Sequence, residues 1–246
     1  MIVRMGLFRR KPELTVEDFA RHWRETHGAL VRDTFGTLEA YIQNLVTDKT
    51  QKGIAYERSD LEIDAISQLF FPTLTAMRGS VNEENLKRLQ EDEANFLTDL
   101  MVATAFQNTV IPVQKDAKRV KRMSLLKRKP GISTEEFQGQ WFNDHAALVK
   151  RLPGLLGYRQ NIIIDWQTNR FSDGSDSGEL ALDGIVELWF EDEAAIERGF
   201  KSAQGQTAMM HAKEFLGQIS TYVVNPVEII PEREISRQMT LRAGGL

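Results

Sequence analysis

The sequence predicts an α+β protein made of two fused ferredoxin-like units, each running strand, helix, strand, strand, helix, strand. Three observations predict it. One stretch occurs twice: Arg9-Arg-Lys-Pro-Glu13 through Asn44 returns as Lys127-Arg-Lys-Pro-Gly131 through Asn161. In both copies the aromatic and apolar residues keep their spacing, Phe19, Trp23, His27, Leu30 and Val31 answering Phe137, Trp141, His145, Leu148 and Val149. A one-residue shift then aligns Tyr41-Ile42-Gln43-Asn44 with Tyr158-Arg159-Gln160-Asn161, and Asp64 through Phe71 answers Asp183 through Phe190. Two copies of so long a unit mark a duplicated domain, not a solenoid.

The elements follow in order. Ile2 to Phe8 is a short apolar strand, ended at Lys11-Pro12 because proline donates no backbone hydrogen bond. Thr15 is placed as a helix N-cap, with Asp18 giving an acidic first turn. The steps of four, four, three and one from Phe19 to Val31 describe one face of an amphipathic helix ending near Gly36. Leu38 to Val46 and Leu61 to Phe71 are strands, separated by the polar stretch 47–60. Asn82 to Met101 is a second helix, and Thr104 to Val113 closes the unit as a strand. The second unit repeats this. Its strands are Lys121 to Leu126, Leu155 to Trp166, Leu180 to Phe190 and Tyr222 to Ile230. Its first helix is capped by Ser133 with Glu136 at capping-box spacing, and its second runs from Glu193 to Leu216. The division expected is 1–114 for the first unit, 115–120 for a linker, 121–230 for the second unit and 231–246 for a tail. The Gly-, Ser- and Asp-rich stretch 167–179 is a polar loop.

A ferredoxin-like unit carries both helices on one face of its sheet and leaves the other face apolar and uncovered. Packing two sheets together, as a sandwich or a barrel, is the usual remedy. Here both halves lie in one chain, so the sandwich or barrel is expected to form within it. The fused unit could itself pair further as a homodimer.

Composition narrows function. A net charge of −4 argues against nucleic acid, which requires a basic face. With no cysteine, disulfide scaffolds and thiolate metal sites are excluded. No apolar run is long enough to span a membrane, and the first residues lack a signal-peptide pattern. The expectation is therefore a cytoplasmic protein with no membrane partner. His22 and His211 have no counterparts in the other copy and no ligand spacing to an acid and a second histidine, so no metal site is expected. Phosphate loops and the Gly-x-Ser-x-Gly elbow are missing.

The chain resembles the EthD family of dimeric α/β-barrel proteins. The resemblance rests on Lys129-Pro-Gly-Ile-Ser133, Glu136-Phe137, Trp141, His145-Ala-Ala-Leu-Val149, Pro153-Gly154, Tyr158, Gln160-Asn161 and Asp183-Gly-Ile through Glu187-Leu-Trp-Phe190. It covers most of 121–230 and, less completely, 3–113. It implies chemistry without metal or organic cofactor on a small, hydrophobic, oxygenated ring compound held between sheet and helices. Isomerase, cyclase, dehydratase and decarboxylase activities all fit. Alternatives are an accessory protein that only binds such a molecule and a cofactor-free monooxygenase.

Within that frame His145 is the expected acid or base, since imidazole titrates near neutrality. Tyr158 is the expected second proton donor, and Glu187 a mid-strand carboxylate that must be paired or wet. His27, Tyr41, Trp141, Trp189 and Asn161 are candidate binding residues. Plain packing is the competing explanation for the histidines, tyrosines and tryptophans, and a salt bridge for Glu187. Asn161 lies an odd number of residues from Tyr158, so the two should face opposite sides of the sheet, whereas Gln43 and Gln160 share the face of their tyrosines. The second copy keeps more of the glycine and proline pattern and is the expected working copy.

Overall fold

A computed structural model describes residues 1–113, 119–167 and 182–232. The first unit comprises β1 (Ile2–Arg10), α1 (Val16–His22), a π-helical turn (Trp23–His27), α2 (Gly28–Thr34), β2 (Ala40–Asp48), β3 (Ala65–Phe71), α3 (Leu74–Arg78), α4 (Glu83–Phe96) and β4 (Leu97–Ile111). The second comprises β5 (Val120–Arg128), α5 (Thr134–Gly139), a π-helical turn (Gln140–His145), α6 (Ala146–Val149), β6 (Leu155–Gln167), β7 (Gly184–Phe190), α7 (Glu193–Lys201), α8 (Ala203–Phe215) and β8 (Leu216–Ile230).

The strand order is β4-β1-β3-β2 in the first unit and β8-β5-β7-β6 in the second, and all pairs are antiparallel. The two sheets face each other as predicted, and they are also joined edge to edge. β2 pairs with β8 and β4 with β6, which closes an eight-stranded barrel. Closure removes every free strand edge, the usual site of unwanted pairing. It works because β4, β6 and β8 are long, at 15, 13 and 15 residues, and so reach across the seams.

Alternation along the strands then divides the side chains. Val3, Met5 and Leu7 of β1 meet Met123 and Leu125 of β5 and Ile185 of β7 in the barrel interior. The other face packs under the helices, with Phe8, Phe19, Trp23 and Phe96 in the first unit and Phe137, Trp141 and Phe215 in the second.

The caps fall where the sequence puts them. Thr15 and Ser133 accept from the backbone N–H of Asp18 and Glu136, at 3.0 and 3.1 Å. Two helices differ from expectation. α4 stops at Phe96, because Leu97, Leu100 and Val102 pack beside Phe8 as a strand. The helix expected over 193–216 breaks at Ser202, whose hydroxyl caps a fresh helix by accepting from Gly205 N–H at 3.1 Å. The proposed linker (bar 119–120), nearly all of the polar loop and the tail beyond 232 lie outside the described residues. Among the described residues no helix is long and apolar enough to cross a membrane.

Candidate functional site

Each unit carries its histidine at the end of a π-helical turn, a wider turn that recurs at functional sites. The turn is tied to the sheet by a glutamine. Gln43 Nε2 donates to the Trp23 carbonyl at 2.7 Å and to the Tyr41 hydroxyl at 2.9 Å. Gln160 does the same to the Trp141 carbonyl and the Tyr158 hydroxyl, both at 2.8 Å. Burial pushes both phenols well above their ordinary value, against the opposing pull of the glutamine and tryptophan neighbours.

In the first unit His27 is buried, and its Nδ1 lies 2.8 Å from Asp92 Oδ2 on α4. The other carboxylate oxygen lies 2.9 Å from His22 Nε2. Burial alone would raise the Asp92 carboxyl, but His27 and His22 outweigh it and hold it below the usual carboxylate value. His27 and Tyr41 line a cavity of about 20 Å³ together with Arg4, Ser67 and Glu93. That is room for one water. α2 and α4 form its roof through Val31, Leu86 and Leu89.

The second unit presents a different pair. Aligning Phe96 with Phe215 sets Asp92 opposite His211 and Glu93 opposite Ala212. His145 Nδ1 lies 3.4 Å from His211 Nδ1, with ring centres 5.5 Å apart and planes 16° from parallel. The rings therefore meet nitrogen to nitrogen, nearly in one plane, instead of lying one above the other. Burial, followed by the charge of His211, pulls His145 down to about 3. No hydrogen bond joins His145 to Tyr158; Phe215 packs edge-on against the imidazole at 5.4 Å. Trp141 is buried under the helix, lying over Gly184 and stacked on Phe142 at 5.6 Å.

Glu187, Asn161 and Trp189 lie on the opposite face of the sheet, inside the barrel, as their odd spacing from Tyr158 and Leu188 requires. Glu187 is fully buried and forms an ion pair with Lys121 Nζ at 2.6 Å. Its Oε1 accepts from Asn161 at 2.8 Å and from Gln68 of the first unit at 2.9 Å. Burial would raise this carboxyl, but Lys121 and Arg159 prevail and hold it below its ordinary value. Lys121 and Arg159 flank the Trp189 ring at 5.1 and 5.4 Å. The sheet thus separates the sequence-derived candidates into two sets: His145, Tyr158, Trp141, His27 and Tyr41 under the helices, and Glu187, Asn161 and Trp189 in the barrel.

Asp92, Glu93 and Arg4 carry no signal used in the sequence reading, and His22 was weighed there only as a metal ligand. The signal for Asp92 was present in the Phe96–Phe215 alignment, which places it one helical turn before the phenylalanine, as His211 is. His22 and His211 look isolated in sequence because their partners come from the other helix of the unit. Among the described residues no group of three or more acidic or histidine side chains is arranged to hold a metal.

The EthD domain model matches residues 11–99 and 129–219, most of both units. Among solved structures the chain is similar to an anthrone oxidase-like protein, with 10% identity, 94% of each chain covered and a TM-score of 0.63. It is also similar to a protein of Lactobacillus acidophilus NCFM provisionally named a monooxygenase, with 11% identity, 93% of each chain covered and a TM-score of 0.52. An ethyl tert-butyl ether D (EthD) family protein of Bacillus halodurans matches at 22% identity over 45% of this chain and 95% of its own, with a TM-score of 0.32. At such identities the first two likenesses speak for the fold alone. No curated protein matches the chain.

Proposed function

The chain belongs to the EthD family, and from that premise we propose that it is an enzyme moving protons on a small, largely apolar, oxygenated molecule, with the working site in the first unit. The observation that carries this is the 2.8 Å contact of His27 Nδ1 with Asp92 at a cavity shared with Tyr41 and Glu93. An ionised carboxylate can only accept, so the proton between the two sits on Nδ1 and leaves Nε2 as the basic nitrogen. When Nε2 takes a proton, Asp92 stabilises the imidazolium beside it. Tyr41 accepts from Gln43 and stays protonated, so its own O–H is free to donate to a substrate oxygen as charge develops there. The cavity has room for one water, so a ring compound would enter only if α2 and α4 part above it.

The second unit lacks this arrangement. A nitrogen that binds a proton only near pH 3 is a weak base at neutrality, and efficient acid–base catalysis needs a value near the working pH.

Proton exchange reads this activity without knowledge of the product. Carbonyl-activated ring compounds, lactones and anthrone among them, are incubated with the protein in D2O and loss of the C–H signal is followed by NMR. Catalysed exchange is expected with at least one of them, and Asp92→Asn should slow it by about 10²-fold or more, because an amide no longer fixes the imidazole tautomer. An oxygen electrode run alongside separates proton transfer from oxidation. Exchange at the same rate in Asp92→Asn would contradict the assignment.

A further inference from the structure

Arg122 is a buried guanidinium with no acid beside it. It projects from β5 under the helices of the second unit, 2% exposed. On its face of the sheet it is flanked by Leu188 of β7 and Val223 of β8, its register partners. Both belong to the apolar cluster of Tyr158, Val149 and Phe200. Its guanidinium lies 4.2 Å from the Phe200 ring centre, and Nη1 donates to the Lys52 carbonyl at 3.2 Å. Its Nε has no partner. Among the described residues no carboxylate pairs with it. Burial pulls it down to about 9 with no charged neighbour opposing, so it remains a cation at neutral pH.

The first unit makes the vacancy legible. Arg4 occupies the same register position, and the cavity it lines also contains Glu93. In the second unit that glutamate is replaced by Ala212. A buried unpaired charge is costly in a folded protein. Among the described residues none supplies that countercharge, and a ligand can bring it.

We propose that the second unit binds a small organic carboxylate through Arg122, between the sheet and the helices. A planar guanidinium with a free Nε is shaped for two-point contact with a carboxylate. The apolar walls suit a ligand with one charge and a hydrophobic body; a phosphate would call for more donors than the Arg122 fork alone offers. Lys52, whose carbonyl the carboxylate would displace, also borders an open surface cleft of about 530 Å³ formed with Glu193, Glu197, Arg198 and Lys201. This segment, carried by the first unit, covers the second: Gly53, at φ 75°, comes so close to Phe200 that a Cβ would stand 2.8 Å from the Phe200 Cβ. The route to Arg122 therefore passes beside Lys52.

Calorimetric titration of the whole protein with benzoate, and with benzamide as the uncharged counterpart, tests this. Saturable benzoate binding at millimolar concentration or below is expected, with none for benzamide. Arg122→Lys should weaken it about tenfold, since the charge stays but the fork is lost. Arg122→Met should abolish it while melting no lower than the unmodified protein, because it removes an unpaired buried charge. Absence of benzoate binding, equal binding of benzamide, tighter binding of inorganic phosphate, or undiminished affinity in Arg122→Met each overturns the proposal. Should Arg122→Met fail to fold, undiminished affinity in Arg122→Lys overturns it in the same way.

Discussion

His27 and His145 occupy one position in a repeated pattern and differ in what faces them. An aspartate faces the first and an imidazole the second. That difference sets the expected acid response. His145 titrates at 6.5 when unfolded and near 3 when folded. Between those values the unfolded chain binds the extra proton, so stability is full above about 6.5 and is lost as pH falls toward 3. Chemical denaturation across that range should show the decline, and His145→Ala should flatten it by up to a few kcal/mol. A slope unchanged in His145→Ala would mean that His145 is protonated as readily in the folded protein as in the unfolded one. The sequence made the two histidines visible through their spacing from tryptophan and phenylalanine. It concealed their partners, because Asp92 and His211 lie far along the chain and the two copies disagree there. The second copy's better-kept motif pointed to His145 as the working histidine, yet what decides a base is the group behind it.

At the scale of elements, spacing predicted all eight strands and the first helix of each unit, since period and caps are local. The π-helical turns were not legible, because one extra residue per turn leaves the apolar pattern almost intact. Each turn packs its tryptophan against the sheet. In the second unit this requires Gly184, where a Cβ would stand 2.5 Å from the Trp141 ring, and Ala65 takes the corresponding place in the first. Gly184→Ala should therefore lower stability by about 1–3 kcal/mol through overpacking, measured as a reduced denaturation midpoint. An unchanged midpoint would show that the Trp141 ring has room to shift. Segment 49–60 had no structure readable from its polar sequence, and the strand expected from Leu61 begins only at Ala65. The segment's order comes from the other unit: Tyr56 donates to the Leu216 carbonyl at 2.7 Å, and Gln51 to the Ile219 carbonyl at 2.8 Å.

Across the whole molecule, duplication made the architecture legible and could not reveal the seams. The need to cover two apolar faces is visible in the pattern, whereas edge pairing of β2 with β8 and β4 with β6 depends on strand lengths and register. Closure also changes the meaning of Glu187. It lies in the barrel's polar centre, paired with Lys121 and bonded to Gln68 across the unit boundary, so removing Glu187 would strip the buried Lys121 of its ion-pair partner. On the proposed reading the two units have separate tasks: the first orients a histidine base with a carboxylate, and the second binds a carboxylate ligand through Arg122. The central claim is that proton transfer belongs to the first unit. The direct measurement is the rate of C–H exchange in D2O for His27→Ala and His145→Ala side by side, with melting curves confirming that both fold. A loss of about 10²- to 10⁴-fold is expected in His27→Ala and a rate within a few-fold of normal in His145→Ala; the reverse order would contradict the assignment of proton transfer to the first unit.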